Sequence, residues 1–163
     1  QRHSYRCDRI TTRLFGEQLV PVCSPAYLES LRDEHGAPSL EKATLIHVNA
    51  ASEDWQTWLE ATGAEKLDPD DGLRVDTIQL AFEAASMGLG VALGRKPLVD
   101  CDLESGALVE AAFDTIDSAG AYWLVSAENG ERRPELLGFR QWILAEAEQF
   151  SCDDASADIH TPQ

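Results

Sequence analysis

The sequence predicts an α/β fold, in which helices cover a sheet. Short apolar runs alternate with amphipathic helix patterns along the chain, and this alternation is typical of a mainly parallel sheet with helices on its faces. The composition, 44% hydrophobic and 26% charged, is that of a globular domain with a core. A length of 163 residues suits one domain or two small lobes that share the chain.

The first strand and helix are predicted from "LVPVC", Leu19 to Cys23, and the residues after it. Ser24 and Pro25 follow at once, and these residue types are preferred at the N-cap and at the first helical position. A helix "PAYLESLRDEHG" is therefore predicted, ended by Gly36.

The second strand is predicted at "TLIHV", Thr44 to Val48, after a loop or single helical turn in "APSLEKA". Ser52 then offers an N-cap for the helix "WQTWLEAT", which Gly63 ends. Trp55 and Trp58 lie at helical spacing, which is more typical of a core or interface than of a ligand platform.

The third strand is predicted at "LRV", Leu73 to Val75. Asp76 and Thr77 are both N-cap types, and the helix "IQLAFEAASM" follows them. Gly88 falls where the helix pattern ends, the position at which a left-handed residue closes the last turn.

The rest of the chain predicts two more strands and two more helices. A fourth strand covers "GVALG", Gly90 to Gly94, and it is followed by a turn, a short helix from about Leu98 and then an edge segment. A fifth strand covers "AYWLVSA", Ala121 to Ala127, before the long amphipathic helix "RPELLGFRQWILAEAEQF". Residues 151–163 have little to bury and are predicted to be disordered.

The glycine-rich stretch "SMGLGVALGR" resembles a phosphate-binding loop only in composition. A dinucleotide fingerprint follows a strand and opens a helix, whereas this stretch follows a predicted helix and opens a strand. Gly90 and Gly94 are also separated by three residues rather than two. We therefore interpret the stretch as a helix end followed by a tightly packed strand.

Charge excludes several classes of partner. Asp and Glu total 29 against 13 Lys and Arg, giving a formal net charge of −16. Such a chain repels nucleic acid and anionic membranes, and it contains no run of about 18 apolar residues that would cross a bilayer. The four cysteines are widely spaced, which is typical of reduced thiols in a cytoplasmic protein: Cys7, Cys23, Cys101 and Cys152.

Catalytic and metal chemistry receive little support from the residues. Ser24 and His47 could in principle form part of a nucleophile triad, but Ser24 lies in "CSPA" and not in a nucleophile elbow. Cys23 could pair with His47 in the same way, but it lies in a predicted strand, where cysteines are usually inert. No metal or cofactor site is predicted, because the histidines are isolated and "DPDDG" lacks the further ligands of a calcium loop.

The strongest functional indication is the start of the third helix. A helix N-terminus carries free N–H groups and partial positive charge, so Thr77 is well placed beside a carboxylate-bearing ligand. Helix starts of this kind line the crevice at the carboxyl ends of parallel strands. A plain N-cap is the alternative, and the local sequence leaves it open.

Seven motifs, in this order, resemble the effector-binding domain of LysR-type transcriptional regulators. They are "EQLVPVCSPAYL", "TLIHV", "DWQTWLEATG", "GLRVDTIQLAFEAASMGLGVALGRKPLV", "DLESGALV", "AYWLV" and "FRQWILAEAE". The similarity covers roughly Leu14 to Phe150, and it is greatest to the glycine-cleavage-activator and β-lactamase-regulator branch.

The resemblance implies a type 2 periplasmic-binding-protein-like fold of two α/β lobes, with the first lobe incomplete. By this analogy residues 1–18 are a remnant of the first lobe, 19–121 form the second lobe, 122–150 return to the first, and 151–163 are the disordered tail. The winged helix-turn-helix, the linker helix and most of the first lobe are expected to lie outside this sequence.

The resemblance also implies which residues contact an effector in the cleft between lobes. They surround the end of the first strand, the end of the second strand, the start of the third helix and the returning strand: Val22, Ser24, His47, Asp76, Thr77, Ile78 and Tyr122.

The implied function is sensing rather than catalysis. A small molecule would bind between the lobes of a cytoplasmic homo-oligomer, and DNA would be bound only through the absent N-terminal domain. The alternatives are a stand-alone periplasmic-type solute-binding protein, which would need export and two complete lobes, and an α/β hydrolase, which would need a clustered nucleophile and base.

Overall fold

The computed structural model describes residues 9–32, 36–51, 53–64, 68, 70–111, 114–127 and 133–157, with the backbone alone described for Arg9 and for residues 149–157. Some residues of the sequence predictions lie outside the described residues, namely His3, Cys7, His35, Ser52 and His160, as do residues 158–163.

Strands and helices alternate as the sequence predicts. The strands are β1 (Arg9–Cys23), β2 (Leu45–Val48), β3 (Leu73–Val75), β4 (Val91–Lys96), β5 (Val109–Glu110) and β6 (Ile116–Ala127). The helices are α1 (Pro25–Ser30), α2 (Asp54–Thr62), α3 (Ile78–Ser86), α4 (Asp100–Ser105) and α5 (Pro134–Ala157), with short 3-10 helices at Leu40–Lys42 and Asn49–Ala51. The α/β prediction is confirmed.

The chain divides into two compact units. Unit 1 combines Gln1–Gly16 with Ala119–Gln163, and unit 2 is Glu17–Ser118. The chain passes from one unit to the other within β1 and again within β6.

The described strands of the sheet follow the order β3-β2-β4-β1-β5, and β6 also pairs with β1. β2 is parallel to both β3 and β4, with His47 opposite Arg74 and Ile46 opposite Ala92. β1 runs antiparallel to β4, with Leu19 opposite Arg95. The sequence pattern of alternating strands and helices does not predict this reversed strand.

The ends of the parallel strands define two edges of the sheet of unit 2. We name the edge at which β2, β3 and β4 end the carboxyl edge, and the edge at which they begin the amino edge. Because β1 is antiparallel, its Glu17 end lies at the carboxyl edge and its Cys23 end lies at the amino edge.

Each face of this sheet has its own buried cluster. One face packs against α2, whose Trp55 and Trp58 are buried as predicted and donate their indole N–H groups to the backbone oxygens of Ile46, at 2.9 Å, and Asp114, at 2.8 Å. These bonds satisfy the polar atom of each ring while its apolar surface is buried. The other face packs against the alanine-rich side of α3.

Unit 1 contains paired aromatic and polar contacts of its own. The rings of Phe15 and Tyr122 lie 4.8 Å apart, and Arg140 donates to the hydroxyl oxygen of Thr12 at 3.1 Å. On α5 the rings of Phe139 and Trp142 lie 5.8 Å apart and are 51% and 55% exposed. The predicted apolar face of this helix is therefore only partly buried within the described residues.

Two helix ends differ from the prediction. α1 ends at Ser30 instead of continuing to Gly36, because Arg32 forms a β-bridge with Pro38, which is incompatible with a continuous helix, and donates to the Gly36 carbonyl at 2.7 Å. α5 continues through Ala157, into the segment predicted to be a disordered tail. For residues 158–163 that expectation stays a prediction.

The glycine-rich stretch has the predicted structural role. Gly88 has a φ of +78° and closes α3, where Leu89 N–H donates to the Ala84 carbonyl at 3.0 Å. A Cβ on Gly90 would lie 2.3 Å from the carbonyl oxygen of Thr44, which is too close for any side chain. The interpretation as a helix end and a tightly packed strand is confirmed.

Replacing Gly90 therefore tests the packing of β4. Gly90→Ala is expected to lower the free energy of unfolding by about 1–3 kcal/mol or more, because the backbone of Thr44 must move. Gly138→Ala is the control, since nothing lies within 4 Å of its Cβ in α5, and the better helix former should be neutral or stabilising by about 0.5–1 kcal/mol. Urea titration measures the free energy of unfolding of both variants. Equal changes in the two variants would contradict the close approach of Gly90 to the backbone of Thr44.

Candidate functional site

Polar side chains from five strands line the carboxyl edge of unit 2. We call them the polar row, and in the order of the strands they are Asp76 and Thr77 after β3, Asn49 after β2, Arg95 in β4, Glu17 and Gln18 in β1, and Asp117 and Ser118 in β6. Pairing of β2 with β3 and of β1 with β4 brings these positions to one edge.

The start of α3 forms one end of the polar row. Thr77 is the N-cap, and its hydroxyl oxygen accepts a hydrogen bond from Leu80 N–H at 3.2 Å, as predicted. Asn49 donates to a carboxylate oxygen of Asp76 at 2.7 Å, which holds that side chain in place. Asp76 and Thr77 are exposed, so the partial positive charge of the helix start faces solvent beside the Asp76 carboxylate.

An ion-pair network centred on Arg95 forms the middle of the polar row. The guanidinium donates from Nη1 to Glu17 Oε2 and from Nη2 to Asp54 Oδ2, in the first turn of α2. The side chains of Arg95, Glu17 and Asp54 are only 15%, 10% and 25% exposed. Charged groups this well buried need the partners they have.

The strand β6 completes the network. Ser118 donates its hydroxyl to Glu17 Oε2 at 3.2 Å, so a single carboxylate oxygen accepts from both Arg95 and Ser118. Gln18 donates to Asp117 Oδ1 at 3.1 Å beside it.

Burial raises the pKa of Asp54 above its ordinary value, even though the adjacent Arg95 acts in the opposite direction and Glu17 adds to the increase. The desolvation of this carboxylate therefore outweighs its attraction to the guanidinium.

The structure does not bring Ser24 together with Thr77. Ser24 lies at the amino edge, where its N–H donates to the Ala85 carbonyl at 3.1 Å and its hydroxyl accepts from Tyr27 N–H at 3.2 Å. The nine residues of α3 between the two sites span about 13 Å. The reversed direction of β1 is the reason, because the end of this strand does not lie beside the ends of β2 and β3.

Two further predicted residues are buried inside unit 2. Val22 is fully buried in the cluster that packs against α3. His47 is buried in β2, with Nε2 2.8 Å from the backbone oxygen of Asp71. Val22 lies toward the amino edge, whereas His47 lies only two residues before Asn49 but has a buried side chain.

The last two predicted residues lie in different units. Ile78 is the first residue of α3, directly after Thr77, and is partly buried. Tyr122 belongs to unit 1, where it packs against Phe15.

Several residues of the polar row were not predicted from the sequence. Arg95 directly follows the predicted strand "GVALG", and a charged residue at the carboxyl end of a strand was a usable signal. Glu17 had no comparable signal, because its partner lies 78 positions away in the chain.

The groups considered for catalysis do not form a nucleophile and base pair within the described residues. The hydroxyl of Ser24 and the ring of His47 have the separate partners given above. Burial raises the pKa of the Cys23 thiol to about 11, which disfavours the reactive thiolate. Cys23 and Cys101 are both free thiols.

The described part of the chain contains no group of three or more His, Cys, Asp or Glu side chains placed to hold a metal ion. None of its helices is long and apolar enough to span a lipid bilayer.

Comparison with known proteins gives consistent relatives. The family model described as the LysR substrate binding domain matches residues 8–148. The glycine cleavage system transcriptional activator of Escherichia coli is 33% identical over 135 residues, which are 83% of this chain and 44% of that protein. The HTH-type transcriptional activator AmpR of Providencia stuartii is 32% identical over 140 residues, 85% of this chain and 45% of that protein.

Solved structures have the same fold. The effector domain of the transcriptional regulator AmpR of Pseudomonas aeruginosa has a TM-score of 0.74 and 25% identity, covering 93% of this chain and 71% of that one. The AmpR effector binding domain from Citrobacter freundii has a TM-score of 0.71 and 21% identity, covering 86% of this chain and 68% of that one. The chain spans a little under half the length of the curated relatives named above.

The raised pKa of Asp54 predicts a pH dependence of stability relative to Asp54→Asn. Since the folded carboxyl holds its proton more tightly than the unfolded one, its contribution is complete below the unfolded value, near 3.8, and is lost as pH rises through the folded value. The free energy of unfolding of the parent minus that of Asp54→Asn should therefore fall across this range and then level off. Urea titrations from pH 3 to 7 measure it, and a difference that increases with pH would show that Arg95 outweighs burial.

Proposed function

Because the chain belongs to the LysR substrate-binding-domain family, we propose that it is the effector-sensing part of a LysR-type transcriptional regulator. The main support for this proposal is the start of α3. Thr77 caps the helix at the polar row, and Asn49 orients the side chain of Asp76 by a hydrogen bond. We propose a small, carboxylate-bearing effector, with its carboxylate at the helix N-terminus beside Thr77.

The proposed contacts are Asp76, Thr77 and Ile78, which share one end of the polar row. Tyr122 is a further proposed contact and rests on the family resemblance alone. Ser24, Val22 and His47 have less support as contacts of the same molecule, because they lie at the other edge or in the interior.

The proposed mechanism is a conformational switch. An effector shifts the equilibrium between two geometries of the protein only by the difference in its affinity for them. In the whole protein, this shift would change DNA binding by a winged helix-turn-helix domain in the cytoplasm. The net charge of −16 supports assigning DNA contact to another part of the polypeptide.

Homo-oligomerisation is the remaining part of the proposal. Unit 2 contains 20 Asp and Glu against 6 Lys and Arg, whereas unit 1 contains 9 against 7, so a second copy meets less repulsion at unit 1. Phe139 and Trp142 form an exposed aromatic pair on α5, and such pairs are common at the centre of protein interfaces. These observations support contact between copies through α5.

A pair of matched variants tests the effector site. Thr77→Ala and Ser24→Ala each remove an N-cap hydroxyl, at a similar cost of about 1 kcal/mol in stability, but at opposite edges of the sheet. In a thermal-shift screen with glycine and other amino acids, aromatic carboxylates and cell-wall peptides, a compound that raises the parent Tm should lose its effect on Thr77→Ala and keep it on Ser24→Ala.

Two outcomes would contradict this assignment. Equal responses of the two variants would mean that the start of α3 does not bind the compound. No response of the parent, or of a longer chain containing it, to any member of the panel would contradict effector sensing of this chemical class.

Light scattering after size exclusion tests the contact between copies. The parent is expected to self-associate with increasing concentration, and Trp142→Ser is expected to reduce this association. Leu80→Ser removes an exposed apolar side chain of unit 2 and serves as the control. A parent that is monomeric at about 100 μM, or equal effects of the two substitutions, would contradict contact through α5.

A further inference from the structure

The Arg95 network lies where the chain passes between the two units. Glu17 is the first residue of unit 2 and Ser118 is its last. We call β1 and β6, the two strands within which the chain passes between the units, the crossing strands. They reach unit 2 at Glu17 and Ser118, and the oxygen Glu17 Oε2 accepts hydrogen bonds from both Ser118 and Arg95. The next residues inward, Gln18 and Asp117, form a second hydrogen bond between the same strands.

Arg95 connects this crossing point to the body of unit 2. Its Nη1 group donates to Glu17 in β1, and its Nη2 group donates to Asp54 in α2. The planar guanidinium can hold two carboxylates in fixed directions at once, which the single ammonium of lysine cannot do as well. One side chain thus joins β4, both crossing strands and the first turn of α2.

Burial makes this arrangement sensitive to the loss of Arg95. Glu17 is 10% exposed and Asp54 is 25% exposed, so without the guanidinium two partly buried carboxylates face each other with no cation between them. Breaking one partner of a buried pair usually costs more than the pair contributes, because the remaining charge is left without compensation. The strand ends would then separate locally to reach water.

We propose that Arg95 is a positioning residue for effector sensing, which holds the unit 2 ends of both crossing strands against the carboxyl edge that contains Thr77. The sensing part of this inference rests on the proposed function, while the positioning part rests only on the geometry of unit 2. With both strand ends held, rearrangement of the polar row on effector binding would act on both crossing strands together.

Hydrogen exchange measured by mass spectrometry on the full chain tests the positioning role without any ligand. Arg95→Met is expected to speed exchange about tenfold in peptides that cover Glu17–Leu19 and Ile116–Ser118, with little change in β2 and β3. Arg95→Lys is expected to give an intermediate effect. Lys96→Met is the matched control, since it removes the same charge from the next residue of β4, which pairs with Glu110.

A second variant keeps the test decisive if Arg95→Met does not fold. Glu17→Gln keeps the shape of the side chain and removes its charge, and it is expected to speed exchange in the same two peptides. Faster exchange throughout unit 2, no local change, or an equal effect of Lys96→Met would overturn the proposal.

The thermal-shift panel of amino acids, aromatic carboxylates and cell-wall peptides tests the sensing part. For the compound that shifts the parent most, Arg95→Met is expected to lose about half of the shift or more while Lys96→Met keeps it. An unchanged shift in Arg95→Met would overturn the sensing role. If no compound shifts the parent, the proposed function fails, whereas the exchange result still decides whether Arg95 holds the strands.

Discussion

Strand β1 runs against β4, with Leu19 opposite Arg95, and this direction decides which side chains meet at each edge of the sheet. It places Glu17 at the carboxyl edge, beside the ends of the parallel strands, and it places Ser24 at the amino edge, against the end of α3. Two hydroxyl caps that look equivalent in the sequence therefore lie in different environments. Of these two caps, only Thr77 lies at the carboxyl edge, where it belongs to the polar row.

Packing on the two sheet faces orients the helices that supply this edge. On one face Ala81, Ala84 and Ala85 are buried against the sheet, so α3 lies close to it and starts directly after β3. On the other face Trp55 and Trp58 anchor α2, whose first turn carries Asp54 to Arg95. The small alanine side chains let α3 pack close to the sheet, and the large tryptophan rings, whose indole N–H groups are hydrogen-bonded, hold α2 against the other face.

Electrostatics at the edge is governed by scarcity of positive charge. Unit 2 contains far more carboxylates than cations, and Arg95 neutralises two of the most buried ones at once. Even so, burial raises the pKa of Asp54, because the cost of desolvating this carboxylate exceeds its attraction to Arg95. The helix N-terminus at Thr77, directly after β3, provides partial positive charge at the same edge.

The sequence by itself determined the strand and helix order and the ends of α3, with Thr77 as its cap and Gly88 as its end, and it determined Trp55 and Trp58 as a buried pair, because caps, glycine conformations and helical spacing are local properties. The family motifs also predicted the fold and the start of α3 as a site. Only the tertiary structure decided the direction of β1, the burial of Val22 and His47, and the meeting of Arg95 with Glu17 and Asp54, which are 78 and 41 positions away in the chain. Strand pairing is a long-range choice made by the burial of whole faces, and no local pattern records it.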